Sequence, residues 1–99
     1  MAKQTKITRS AKGEECQIRI PEICNFNPET TVLCHLNGGG GGMKNPDWMA
    51  SYGCSDCHDV VDGRRILTTN TDLILCYFYE GVMRTQKILI EKGLIVIKS

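Results

Sequence analysis

The sequence predicts a small α+β domain organised around a metal site, and three features predict it. Two cysteine pairs, Cys16/Cys24 and Cys54/Cys57, bracket a lone histidine, His35. A short stretch that opens on β-branched residues, Thr31-Val32-Leu33-Cys34-His35-Leu36, lies between them, bounded by Pro28 and by a run of glycines. A long segment from Asp72 to Lys92 carries apolar residues at helical spacing.

The cysteines come first because they decide what holds the fold. A structural zinc takes four sulfur or nitrogen ligands in a tetrahedron, and Cys-x-x-Cys is the shortest spacing that lets one turn present two thiolates to one ion. Cys54-Ser55-Asp56-Cys57 has that spacing. Cys16 and Cys24 are further apart, but Arg19-Ile20-Pro21 between them has the turn chemistry of a metal-binding knuckle. Together the four predict a treble-clef-like zinc site; two disulfides or separate free thiols are the competing arrangements. A chain of 99 residues buries only a modest core, so a structural metal is a natural supplement. No stretch from Met1 onward has the charged start, apolar centre and small-residue cleavage site of a secretory signal. The apolar run Leu73 to Tyr79 is far shorter than the roughly 18 residues that cross a bilayer. The expected setting is therefore the cytoplasm, without membrane contact, where cysteines serve metals more than disulfides. Cys76, inside the apolar run, reads as a small buried hydrophobe.

The elements follow in order. Residues 1–13 read as a flexible basic N-terminus: Lys3, Lys6, Arg9 and Lys12 all precede the first acidic residue, Glu14. Such a run is most often a solvated terminus and only secondarily a phosphate-binding arm. Residues 14–99 read as a single domain. With 12 Lys and Arg against 11 Asp and Glu, overall charge alone announces no nucleic-acid partner. Thr31 to Leu36 is a strand with His35 near its end. Gly38 to Gly42, with Asn37, Asn45 and Pro46, is loop; Gly42-Met43-Lys44-Asn45 lacks the Gly-Lys-Ser/Thr ending of a phosphate-cradling loop. Ser55 or Asp56 caps a short helix ending near Gly63. Asn70, Thr71 and Asp72 start the long helix and Gly93 stops it, with Leu75, Tyr79, Val82, Met83 and Leu89 on its apolar face. Gly81 costs about 1 kcal/mol against alanine there and marks where a kink would fall. Leu94 to Ile97 reads as a short terminal strand.

His58 follows Cys57 directly, and neighbours on a helix point about 100° apart, so His58 faces away from any ion that Cys57 holds. Asp62, four residues on, returns to the face of His58. An imidazole and a carboxylate so spaced make a site for a second divalent ion with positions left open; such pairs are more often plain surface contacts. Arg64, Arg65, Arg84 and Lys87 are candidate phosphate contacts.

The order of a cysteine pair, a strand ending in histidine, a loop with asparagine, then Cys-x-x-Cys-His on a helix resembles the HNH, or ββα-metal, nuclease superfamily. Within it, Glu15-Cys16-Gln17, Arg19-Ile20-Pro21, Cys24-Asn25, Asn27-Pro28-Glu29-Thr30, Val32-Leu33 and His35 are similar to the YbcO type of prophage nuclease. Cys54-Ser55, Cys57-His58-Asp59, Asp62 and Arg84-Thr85-Gln86 extend the match. The resemblance implies a ββα-metal domain with an additional C-terminal helix, hydrolysing DNA phosphodiester bonds in the cytosol of a bacterial host. It implies His35 as the general base, Asn45 fixing the loop beside it, and His58 and Asp62, with Asp59 a further candidate, holding Mg²⁺ or Mn²⁺. One position departs from the superfamily: Cys34 stands where an acidic residue or histidine often precedes the base. A hard magnesium ion binds thiolate poorly, so Cys34 is expected to point away from the site. A second class of function stays open, a non-catalytic zinc-binding adaptor for DNA or for phage recombination proteins. A thiol-redox protein built on Cys54 and Cys57 is a third.

Overall fold

A computed structural model describes residues 5–36, 46–63 and 71–97. Helix α1 (Lys6–Ser10) is followed by a 3₁₀ turn (Pro28–Thr30), strands β1 (Val32–His35) and β2 (Ala50–Gly53), then helices α2 (Ser55–Val61) and α3 (Thr71–Glu91). The strands pair antiparallel as a two-stranded ribbon with Leu33 opposite Tyr52 and His35 opposite Ala50. This is the small α+β arrangement expected, with the long helix last. Among the described residues no helix is long and apolar enough to cross a membrane.

Side chains alternate across a strand, and that alternation sorts the core into two layers. Leu33, Ala50 and Tyr52 pack with Ala11 and Leu89 on one side. Cys34 joins the other layer, with the four paired cysteines, Ile18, Ile20, Val60, Ile74, Phe78 and Val82. Helix α3 serves both, giving Ile74 to Val82 to one layer and Leu89 to the other.

The outer edge of β2 is closed. The Tyr52 N–H donates to Thr85 Oγ1 of α3 at 3.0 Å, and the Tyr52 carbonyl accepts the Gln17 N–H at 2.8 Å. The Tyr52 hydroxyl shares a hydrogen bond of 2.7 Å with Ser10 Oγ at the end of α1. Tyr52, fully buried, thus touches α1, α3, the knuckle segment and β1.

Four expectations change. The N-terminal lead-in carries structure from Thr5 onward: Thr5 caps α1 by accepting the Thr8 N–H, and Ala11 is buried beneath it. The cap of α2 is Cys54, whose sulfur accepts the Cys57 N–H, in place of Ser55 or Asp56. Leu94 to Ile97 form no strand. Gly93 adopts φ +75°, and the Leu94 and Gly93 N–H groups donate to the Leu89 and Ile90 carbonyls, so the chain wraps back over the helix end. Cys76 is exposed, on the outer face of α3.

Gly81 marks close packing within an unbroken helix of 21 residues. A Cβ there would lie 2.5 Å from Ser51 Oγ and 3.0 Å from the Gln17 carbonyl oxygen. Gly81→Ala should therefore destabilise the protein by about 1–2 kcal/mol, the overpacking cost exceeding the gain of about 1 kcal/mol in helix propensity. Urea unfolding of the two proteins measures this; a more stable alanine variant would show that helix and ribbon can separate at no cost.

Candidate metal centre and histidine site

Cys16 and Cys24 sit on an irregular knuckle, Cys54 and Cys57 on the first turn of α2. Their four sulfurs lie within 4.8 Å of one another and all four residues are buried. Cys54 Sγ is 3.9 Å from Cys24 Sγ. All six cysteines are free thiols, so the paired-disulfide arrangement is not the one adopted. Two backbone N–H groups also point at Cys54 Sγ, from Cys57 at 3.4 Å and Asn25 at 3.5 Å. The Asn25 side chain reaches Asp56 and Ser55 on α2, tying the knuckle to the helix.

The knuckle is strained. Arg19, Glu22 and Phe26 have φ of 55°, 66° and 55°, in a region that costs a side chain about 1–2 kcal/mol each. Closely packed thiols also titrate against one another. The hydrogen bond from the Cys57 thiol, helped by backbone N–H groups, holds Cys16 down to about 4. The same bond, with burial, pushes Cys57 well up, and burial raises Cys24 to about 11. The shared hydrogen bond thus favours the thiolate at Cys16 over Cys57. These are the donors and the geometry of a site that could hold a metal ion.

His35 ends β1 on the face opposite Cys34. Its Nε2 lies 2.7 Å from Asp47 Oδ1, with both side chains 23% exposed. Asp47 in turn accepts a hydrogen bond from Thr5 Oγ1 at the start of α1. The segment carrying it is fixed on three sides: the Met49 N–H donates to the Pro46 carbonyl, the Leu36 N–H to the Met49 carbonyl, and Gln86 Nε2 of α3 to the Trp48 carbonyl. Asp47 is the residue that reading the sequence missed; its only local signal was a carboxylate beside Pro46, which reads equally as a turn.

His58 is half-buried on α2, and its ring makes no hydrogen bond among the described residues, so it is not the surface contact with Asp62 that such spacing often gives. Asp62 closes the same helix as its C-terminal cap and is exposed. No second group of three or more ligand-type side chains forms among the described residues, and the hydrogen bond of His35 goes to Asp47 and not to α2. Cys34 is buried with the four clustered cysteines, and burial raises its thiol well above the usual range. Arg84 is engaged in the fold: its guanidinium donates to the Gln17 carbonyl at 2.7 Å and pairs with Glu80 at 3.2 Å. Lys87 is exposed. Asn45, Arg64 and Arg65 lie outside the described residues.

A small α+β domain with four clustered cysteines and an acid-paired histidine defines the class; comparison with known proteins narrows it. A family model described as "Putative nuclease YbcO" matches residues 5–94. The chain belongs to the YbcO family. It is 42% identical over 92 residues to "Putative nuclease YbcO" of Escherichia coli (strain K12), covering 90% of this chain and 95% of that one. The same figures hold for "Putative nuclease ybcO" of Enterobacteria phage 82. The solved "Structure of a putative bacteriophage protein from Escherichia coli str. K-12 substr. MG1655" superposes with a TM-score of 0.75 at 42% identity, over 87% of this chain and 98% of that one.

Proposed function

We propose that the protein is a metal-dependent endonuclease of phage or prophage origin that cuts DNA phosphodiester bonds, with a structural zinc on Cys16, Cys24, Cys54 and Cys57 and the β1–β2–α2 succession acting as an HNH-type ββα-metal unit. The observation that carries the reading is the His35–Asp47 pair at 2.7 Å, accessible to solvent in a family named for nuclease activity. The zinc fits the cluster: a Zn–S bond of about 2.3 Å gives a tetrahedron edge of about 3.8 Å, beside the 3.9 Å between Cys24 and Cys54 sulfurs.

In this reading His35 donates its Nε2–H to Asp47, which leaves the Nδ1 lone pair to take a proton from the attacking water. Asp47, held by Thr5, fixes that tautomer and steadies the imidazolium once formed. His58 and Asp62, with Asp59 beside them, are the residues that would hold a divalent ion, Mg²⁺ or Mn²⁺, which when bound supplies charge stabilisation at the departing 3′ oxygen. The half-buried ring of His58, one helical turn from Asp62, suits that role. Lys87 with Arg64 and Arg65 would meet flanking phosphates.

Supercoiled plasmid incubated with magnesium, manganese or nickel should yield nicked circles, and mild chelation that spares the zinc should stop the reaction. His58→Ala should raise the concentration of added metal needed. DNA binding without cleavage under all three metals would favour the adaptor reading.

A further inference from the structure

On the α1 side, an open cavity of about 460 Å³ lies between α1 and the start of β1, walled by Thr8, Arg9, Lys12, Glu29 and Thr31 above Val32 and Leu33. Thr31 is 3% exposed, and its Oγ1 is the buried side-chain polar atom left without a hydrogen-bond partner among the described residues. A buried hydroxyl without a partner is costly, and a Thr31 side chain turned toward the cavity would let a ligand oxygen accept its proton and relieve that cost. The Arg9 and Lys12 side chains are exposed and make no ion pair or hydrogen bond among the described residues, nor does the Glu29 carboxylate. Two cations and one carboxylate leave one net positive charge. That balance suits the single negative charge of a phosphodiester better than the dianion of a phosphomonoester.

We propose that this cavity is a phosphodiester subsite, gripping the nucleic-acid backbone through Arg9, Lys12 and Thr31 at a point away from the bond that is cut. The identity of its ligand rests on the nuclease reading. Placement supports it: Thr31 and His35 lie four residues apart along one extended strand, about 13 Å at roughly 3.3 Å per residue. That span corresponds to about four nucleotide steps at roughly 3.4 Å along one DNA strand. Helix α1 joins the two points, since its cap Thr5 binds Asp47 while Arg9 walls the cavity.

Two measurements test the subsite separately from catalysis. Titration of ¹⁵N-labelled protein with dimethyl phosphate, a simple diester monoanion, should shift the amides of Arg9, Lys12 and Thr31 more than inorganic phosphate does. For duplex DNA binding without divalent ions, R9Q/K12Q should lower the slope of log affinity against log salt by about 0.9, the contribution of one phosphate. Glu29→Gln should tighten binding. A wild-type slope in R9Q/K12Q, or no response of these amides to dimethyl phosphate, would overturn the subsite. Amides that respond in a protein binding no nucleic acid would uphold it and remove the nuclease reading instead.

Discussion

Replacing Cys54 with serine should unfold the domain. Structural zinc contributes an apparent 10–16 kcal/mol at such sites, roughly, whereas domains of this kind are stable by only about 5–15 kcal/mol. Serine can still accept the Cys57 N–H and cap α2, so what the variant removes is the buried thiolate donor that would tie the knuckle to the helix through a metal ion. The three left-handed residues of that knuckle then keep their backbone cost with one restraint fewer. Far-UV circular dichroism should show the helix signal falling, elemental analysis should show less than one zinc per chain, and a strong chelator should reproduce both in the wild type. Cys76→Ser, on the outer face of α3, is the control and should change neither. A folded, metal-free Cys54→Ser protein would mean that the apolar layers suffice alone.

The second large effect is on rate. His35→Ala should lower plasmid cleavage by about 10²–10⁴-fold, the usual contribution of a general base, with zinc content and DNA affinity unchanged. Asp47→Asn should lower it by less, because the imidazole remains while the group that sets its tautomer no longer accepts a proton-bearing nitrogen as well. Single-turnover rates at saturating DNA measure both. Equal rates for wild type and His35→Ala would dismiss the histidine as base and leave Asp47 as a structural partner.

Much of the fold could be read directly because its signals are local. The sequence predicts helix α3 from Asp72 to Lys92 and it runs from Thr71 to Glu91, since a polar start, a glycine stop and helical spacing all act over a few residues. The cysteine cluster is legible for the same reason at Cys54 and Cys57, and at Cys16 and Cys24 from the turn chemistry of Arg19-Ile20-Pro21 between them. What escaped depends on partners distant in sequence. Ile95-Val96-Ile97 has the composition of a strand, but the Leu94 and Ile95 N–H groups turn back to the Leu89 carbonyl and close the end of α3 instead. Helix α1, with five residues, is too short for periodicity to reveal and is held by Thr5, Ser10 and Ala11 against the rest. Asp47 meets His35 across a loop whose composition says only that the chain turns. The sulfur cap of α2 was hidden because cysteine is not a usual capping residue, and becomes one here because its sulfur is already at the helix start.

Tyr52 is the residue at which the separate elements of the domain meet. Its backbone is held by α3 and the knuckle, its hydroxyl by α1, and its ring by Leu33 and the layer around Leu89. No one of these elements can leave without exposing or orphaning a group on the same residue, so local opening at any of them carries a penalty felt by the others. The short N-terminal helix should therefore melt together with the long C-terminal one, although most of the chain separates them.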